Sequence, residues 1–177
     1  MRGASLLGVL LALILLSGCS TKINMDPICP QTGFIGNTDT ITYLAAGSKD
    51  AIASGAIKGF SGECKFKDKK TNTVDVTLTL PFTAQRGKAG AALKEKEFSY
   101  FIGVLSPTEE ILQRKVFTTK ITFDNNGKGD SSEDHVIKIP LTARADAGKY
   151  KVIIGFTLTR DQMKYNEQTK SWEEPKK

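Results

Sequence analysis

The segment that decides the fold is Val74-Asp75-Val76-Thr77-Leu78-Thr79-Leu80-Pro81-Phe82. Its apolar residues recur at every second position, with Asp, Thr and Pro between them. A period of two places alternate side chains on opposite faces of a β-strand. The segment therefore predicts a half-buried antiparallel strand with one apolar and one polar face. Pro81 has no N–H group, so its position should need no donor in the hydrogen-bond ladder.

Strand-like patterns continue on both sides of this segment, because Thr, β-branched and aromatic residues alternate with polar ones. The further candidate strands are residues 38–45, 52–66 (with an interruption at its glycines), 97–105, 111–123, 135–141 and 150–159. Residues 84–90 are predicted to form a loop. About seven short strands separated by turn signals indicate an all-β sandwich or barrel.

The ten residues from Leu141 to Tyr150 resemble the corner of immunoglobulin-like domains. In those domains an Asp-x-Gly-x-Tyr sequence leads into a late strand, and the Tyr hydroxyl bonds to a backbone group upstream. Asp146, Gly148 and Tyr150 form this motif here. The resemblance implies an immunoglobulin-like antiparallel β-sandwich, with Val152 making an apolar contact where an antibody domain has its second Cys. An ordinary Gly turn before a strand is the alternative.

A short helix is predicted after the last strand. Thr159 and Gln162 have the spacing of a capping box, and Leu158 with Met163 fits a hydrophobic staple. We expect one or two helical turns, ending at about Asn166.

The chain begins with a segment typical of export signals. Arg2 supplies a positive charge, and residues 4–16 are small or apolar. That run is too short to cross a hydrocarbon layer of about 30 Å as a helix. It leads into Leu16-Ser17-Gly18-Cys19, which resembles the lipobox of bacterial lipoproteins. In that family the Cys sulfur receives a diacylglycerol and the chain is cut immediately before the Cys.

The lipobox resemblance implies that Cys19 is the lipidated first residue of the mature protein. Two or three acyl chains anchor a protein stably, because each buried methylene contributes about 0.8 kcal/mol. Ser20 follows Cys19, and in well-studied Gram-negative lipoproteins that pattern accompanies sorting to the outer membrane. We therefore expect anchoring at the periplasmic face of the outer membrane, with the inner membrane as the alternative. A plain signal peptide is the competing interpretation.

The predicted domain organisation has four parts. Residues 1–18 are a cleaved signal peptide, 19–36 a lipidated tether, 37–166 the β-sandwich and 167–177 a flexible polar tail. Removing 18 residues from 177 leaves 159, which is the size of one domain with an adequate core.

Export also determines the redox environment of the remaining cysteines. With Cys19 assigned to lipid, Cys29 and Cys64 form an even pair in an oxidising compartment, which predicts a disulfide. Such a bond would stabilise the fold by roughly 3–4 kcal/mol. Two free thiols are the alternative. A metal site is disfavoured, because the thiols are distant in sequence and the chain has one His.

The layout as a whole resembles a group of small envelope lipoproteins from alphaproteobacteria that have no assigned activity. The resemblance spans most of the mature chain. Its shared features are the lipobox, Cys29-Pro30, a Gly-x-Cys ending at Cys64, Arg86-Gly87, Ile139-Pro140-Leu141 and Gly155-Phe156-x-Leu158.

No motif in the sequence predicts a catalytic residue, a cofactor or a metal. His135 is the single His and is interpreted as structural or superficial. Residues 124–130 resemble a calcium loop, but they have Lys at the fifth position and no Glu at the twelfth, so a hairpin turn is predicted. The run Lys65-x-Lys67-x-Lys69-Lys70 is read as a solvated edge that discourages strand association, or else as a contact for anionic wall or lipid.

These observations predict a non-enzymatic, lipid-anchored envelope protein whose sandwich binds or supports another envelope protein or a cell-wall component. Its net charge of +6, or +5 once Arg2 is removed, suits anionic envelope surfaces, whereas location disfavours nucleic acid. The alternative is a solute- or glycan-binding module, or a small envelope hydrolase. That alternative requires a concave pocket lined by aromatic and acidic residues, and the aromatic content of 8% counts against a sugar platform.

Overall fold

The computed structural model describes residues 28–67 and 71–170, which contain nine β-strands and one α-helix. The strands are β1 (Gln31–Phe34), β2 (Thr40–Leu44), β3 (Ala51–Ile57), β4 (Ser61–Phe66), β5 (Thr73–Arg86), β6 (Glu95–Leu105), β7 (Ile111–Thr122), β8 (Lys128–Pro140) and β9 (Lys151–Phe156). The helix α1 spans Arg160–Lys170. The predicted all-β sandwich is confirmed, with nine strands in the described residues in place of about seven.

The strands form two sheets. The first has the order β1-β9-β6-β7, and the second has the order β2-β3-β5-β4 with β8 on the opposite side of β5. Both β3 and β4 pair with the same side of β5, β4 along residues 74–79 and β3 along residues 82–86. All pairs are antiparallel except β1 with β9, which is parallel and corrects the purely antiparallel prediction.

The strand β5 contains the segment from which the fold was inferred, and its alternation is as predicted. Its inward side chains are all nearly inaccessible to solvent: Val74, Val76, Leu78, Leu80 and Phe82. Pro81 lies between the parts of β5 that pair with β3 and β4, and its carbonyl accepts a hydrogen bond from the Lys58 N–H at 2.9 Å. Its missing N–H therefore faces the gap between those two strands, where the ladder needs no donor.

Aromatic rings from both sheets meet in the centre of the core. Phe82 of β5 lies 4.8 Å from Tyr100 and 6.1 Å from Phe156, measured between ring centroids. Phe98 packs beside Phe156 at 6.2 Å. Gly55 of β3 makes room for Phe98, because a Cβ at that position would lie 2.8 Å from the Phe98 ring. Burial of these rings joins the two sheets into one core.

Several predicted boundaries are wrong. The strand β8 begins at Lys128 and not at residue 135, because its first half continues to pair with β5. Residues 31–34, assigned to the tether, form β1, and the sandwich therefore begins before residue 37. Residues 84–86, assigned to a loop, continue β5, because Ala84 packs inward and the Arg86 N–H bonds to the Gly127 carbonyl at 2.7 Å. The helix continues four residues beyond Asn166, into the predicted tail.

The corner motif has the geometry that its resemblance implies. The Tyr150 hydroxyl accepts a hydrogen bond from the Thr142 N–H at 2.9 Å. Asp146 forms an ion pair with Lys149, and a Cβ on Gly148 would press against Ile28. Val152 is fully buried, in keeping with an apolar contact in place of a Cys.

The predicted disulfide between Cys29 and Cys64 is confirmed. Their Cα atoms lie 5.9 Å apart across a sequence separation of 35 residues. Cys29 lies two residues before β1 of the first sheet, and Cys64 lies in β4 of the second. The bond thus ties together the edges of the two sheets.

Candidate functional site

An open groove of about 1030 Å³ crosses the outer face of the second sheet. Its floor is made by two rows of paired, outward-facing residues on β2, β3, β5 and β8. The first row is Thr40, Ala56, Thr83 and Asp130, and the second is Thr42, Ser54, Gln85 and Lys128. These side chains are small or polar, so they leave the space above the sheet open.

The helix α1 forms one wall of the groove. It is held against the edge of β2 by Asn166, whose side-chain amide donates to the carbonyls of Asn37 and Thr40 at 2.7 and 2.8 Å. Asn166 is 2% exposed, so these bonds satisfy a buried polar group that would otherwise be costly. The preceding residue, Tyr165, lines the groove and is half-buried.

The start of α1 is fixed by the predicted capping box. The Thr159 N–H donates to the Gln162 side-chain oxygen at 2.9 Å, and the Gln162 N–H donates to the Thr159 hydroxyl at 3.2 Å. These reciprocal bonds satisfy two N–H groups that have no partner within the helix. Local sequence therefore determines where the helical wall of the groove begins.

The turn between β7 and β8 forms the opposite wall. The predicted hairpin turn is confirmed: Asp124 Oδ1 accepts from the N–H groups of Asn126 and Lys128, each at 2.8 Å. Gly127 adopts a φ of 71°, which suits glycine. The Gln85 amide reaches from the floor to the Gly127 carbonyl at 3.1 Å and fixes the turn to the sheet.

Apart from the groove, a cluster of polar residues lies between the two sheets, where β7 and β8 face each other. Here β8 directs Ser131, Glu133 and His135 inward, at positions where a sandwich strand usually carries apolar residues. The Tyr100 hydroxyl lies 2.8 Å from His135 Nε2, and the Phe117 ring lies 4.3 Å from the His135 ring between centroids. We call these residues, together with Thr119, the inter-sheet cluster.

Burial sets the protonation of the Tyr100–His135 pair. It lowers the pKa of His135 below its ordinary 6.5, against the opposing attraction of Glu133 and Asp134. Burial and, second, the charge of Glu133 raise the pKa of Tyr100. At neutral pH both rings are therefore uncharged, and the hydrogen bond between the Tyr100 hydroxyl and His135 Nε2 joins two neutral groups.

Acid is expected to weaken the fold through His135. The unfolded chain gains a proton near pH 6.5, whereas the folded chain gains it only at lower pH. The free energy of unfolding should therefore fall as the pH drops below about 6.5 and level off below the folded pKa. Urea unfolding midpoints at pH 7.5 and pH 5.5 would measure the loss. Because the chain has one His, His135→Gln should remove most of this pH dependence. An unchanged dependence in that variant would contradict the assignment.

The Ser131 and Thr119 hydroxyls of the inter-sheet cluster form their hydrogen bonds away from His135. The Thr119 hydroxyl donates to Glu133 Oε1 at 2.8 Å, so the Ser131 hydroxyl, 2.8 Å from Thr119 Oγ1, must be the donor in that pair. A serine nucleophile needs its proton directed at a base. Within the described residues the cluster does not provide that arrangement. Its hydrogen bonds instead join β7 of one sheet to β8 of the other.

A smaller cavity of about 430 Å³ lies on the outer face of the first sheet, beside α1. Phe101, Ile35, Leu158 and Met163 give it a largely apolar lining. The Arg114 guanidinium stacks over the Phe101 ring at 4.6 Å and borders it.

The remaining predicted positions do not lie at the groove. Cys19 lies outside the described residues. Within the predicted basic run, Lys65 and Lys67 are exposed and form ion pairs with Glu63 and Asp75 at 2.7 and 3.6 Å, as a solvated edge would. The groove itself was not predicted, because alternation shows which residues face outward but not which strands lie side by side.

Comparison of the chain with family models, curated proteins and solved structures gives no match in any of the three. Within the described part of the chain, no helix has the length and apolar character required to span a membrane, and no cluster of His, Cys, Asp and Glu has the geometry of a metal site.

Proposed function

We propose that this protein is a non-enzymatic envelope lipoprotein, anchored through lipid on Cys19, whose β-sandwich holds another envelope component in the groove. The observation that carries the proposal is the groove itself, a concave surface of about 1030 Å³ on a rigid sheet. Binding sites are typically concave and placed on pre-formed scaffolds, with volumes of about 300–1,000 Å³.

The chemistry of the described residues supports binding in preference to catalysis. The inter-sheet cluster uses its hydroxyls and its imidazole in internal hydrogen bonds. The groove side chains, by contrast, face solvent. The two walls of the groove are fixed by the hydrogen bonds of Asn166, of the Thr159–Gln162 capping box and of Asp124. The groups available to a ligand are therefore those of the groove floor, Tyr165 and the nearby carboxylates.

The anchor is tested by fractionation of cells that express the wild type or Cys19→Ala. The wild type should sediment with the outer membrane and lose residues 1–18. Cys19→Ala should lack the lipid, because its side chain has no sulfur to acylate, and should keep its unprocessed length. If Cys19→Ala were membrane-bound and matched the wild type in size, the lipoprotein proposal would have to be abandoned. Recovery with the inner membrane would instead change the location.

The binding role is tested by affinity purification of the full chain from detergent-solubilised envelopes. Ala56→Trp places a large ring on the groove floor, and Thr118→Trp places the same ring on an exposed position of β7 outside the groove. Material that co-purifies with the wild type and Thr118→Trp, but not with Ala56→Trp, would support the proposal. Equal recovery with all three proteins, or none above an anchor-only control, would contradict it.

A further inference from the structure

We infer that the ligand of the groove is a neutral carbohydrate chain. This inference rests on the proposed binding function and specifies its chemistry. Four strands spaced as in an ordinary sheet make a floor about 14 Å wide, bounded by α1 and by the turn between β7 and β8. A short oligosaccharide fits a floor of that width better than a single small solute does.

The first argument is the supply of hydroxyl groups. The side chains of Thr40, Thr42, Ser54 and Thr83 line the groove and form no side-chain hydrogen bond within the described residues. Each hydroxyl can donate one hydrogen bond and accept two. A regular array of such groups matches a ligand that also presents hydroxyls at many positions.

The second argument is charge. Although the whole chain carries +6, the groove is lined by two carboxylates, Asp124 and Asp130, and by one ammonium group, Lys128. An anionic polymer would gain from the basic remainder of the surface but would be repelled at the groove. A neutral ligand can accept hydrogen bonds from Lys128 and donate them to Asp130 without repulsion.

The third argument is the position of apolar side chains. The exposed large apolar residues of the described chain lie elsewhere: Ile28, Ile35, Leu44, Phe60, Ile111, Leu112, Val116, Val136 and Met163. Protein–protein contacts usually bury aromatic or other apolar anchors at their centre. Two aromatic residues line the groove: Phe123 is buried, and Tyr165 is half-buried at the wall. A single accessible ring beside many hydroxyls suits the mixed surface of a sugar. The low aromatic content of the chain therefore excludes a platform of several rings but not this arrangement.

The test is an NMR titration of the full chain in detergent micelles with three neutral tetrasaccharides: tetra-N-acetylchitotetraose, cellotetraose and maltotetraose. At least one should shift the amide signals of residues 54–56, 83–85 and 128–130. Ala56→Trp should weaken that binding by about tenfold or more, because the new ring occupies the floor, and Thr118→Trp should leave the dissociation constant unchanged. Tyr165→Ala should weaken it by a smaller factor.

Each other outcome has a defined meaning. If none of the three sugars shifts groove signals at millimolar concentration, the carbohydrate inference is overturned. If envelope material is still captured in a groove-dependent way, the proposed binding function survives with a protein ligand. If neither sugar-induced shifts nor groove-dependent capture of envelope material were observed, the proposed binding function would be contradicted as well. Shifts that are equally strong in Ala56→Trp would place sugar binding outside the groove and also overturn the inference.

Discussion

Replacing both Cys29 and Cys64 with Ser is expected to lower the free energy of unfolding by about 4 kcal/mol. The bond closes a loop across a separation of 35 residues and so restricts the unfolded chain. The folded state also depends on it locally, because β4 carries mostly exposed or half-exposed side chains and contributes little to the core. A loss of this size is a large part of the usual 5–15 kcal/mol of domain stability.

The measurement is urea unfolding of the wild type and of the double Ser variant, each with and without a thiol reductant. The reductant should lower the midpoint of the wild type to that of the variant and leave the variant unaffected. An equal effect of reductant on both proteins, or a double variant within about 1 kcal/mol of the wild type, would contradict the expected stabilisation.

The parts of the fold predicted correctly are those carried by local patterns. Alternation in residues 74–82 identified β5 and its buried face, the corner sequence placed Tyr150, and the Thr159–Gln162 spacing located the start of α1. In each case the determining groups lie within about eight residues of one another. A local pattern is sufficient wherever the physical constraint is also local.

The parts missed depend on pairing between distant segments. The strand β1 has four residues and pairs in parallel with β9, which follows more than a hundred residues later, so no hairpin signal marks it. The placement of β3 and β4 one after the other along the same edge of β5 is likewise a property of the assembled sheet. The groove floor is built from β2, β3, β5 and β8, which become neighbours only in the assembled sheet. Its residues therefore could not be grouped from sequence.

The inter-sheet cluster shows the same limit. His135 was read as an isolated residue because its partners, Tyr100 and Phe117, are contributed by two other strands. Its one advance signal was the alternation of β8, which directs Ser131, Glu133 and His135 to the same side as Ile137 and Ile139. Polar residues on an otherwise buried face indicate internal hydrogen bonding, and the partners become visible only when β7 and β8 are brought together.

The second large effect is expected from Phe82→Ala, which should lower the free energy of unfolding by about 3–5 kcal/mol. Phe82 is 1% exposed and contacts Tyr100 and Phe156 of the opposite sheet. Its removal leaves a cavity at the point where the two sheets join, and the rigid neighbouring strands can close it only in part. Phe82→Leu keeps more of the volume and should cost distinctly less.

Thr83→Ala is the matched control, since it removes a side chain from the next residue of the same strand on the exposed face. Its effect should be below about 1 kcal/mol. Urea unfolding of the three variants and the wild type measures the series. If Phe82→Ala and Thr83→Ala lowered the free energy of unfolding equally, the buried face of residues 74–82 would not be what holds the two sheets together. The core would then have to depend on other contacts. The expected order is Phe82→Ala, then Phe82→Leu, then Thr83→Ala, because the cost follows the apolar volume lost from between the sheets.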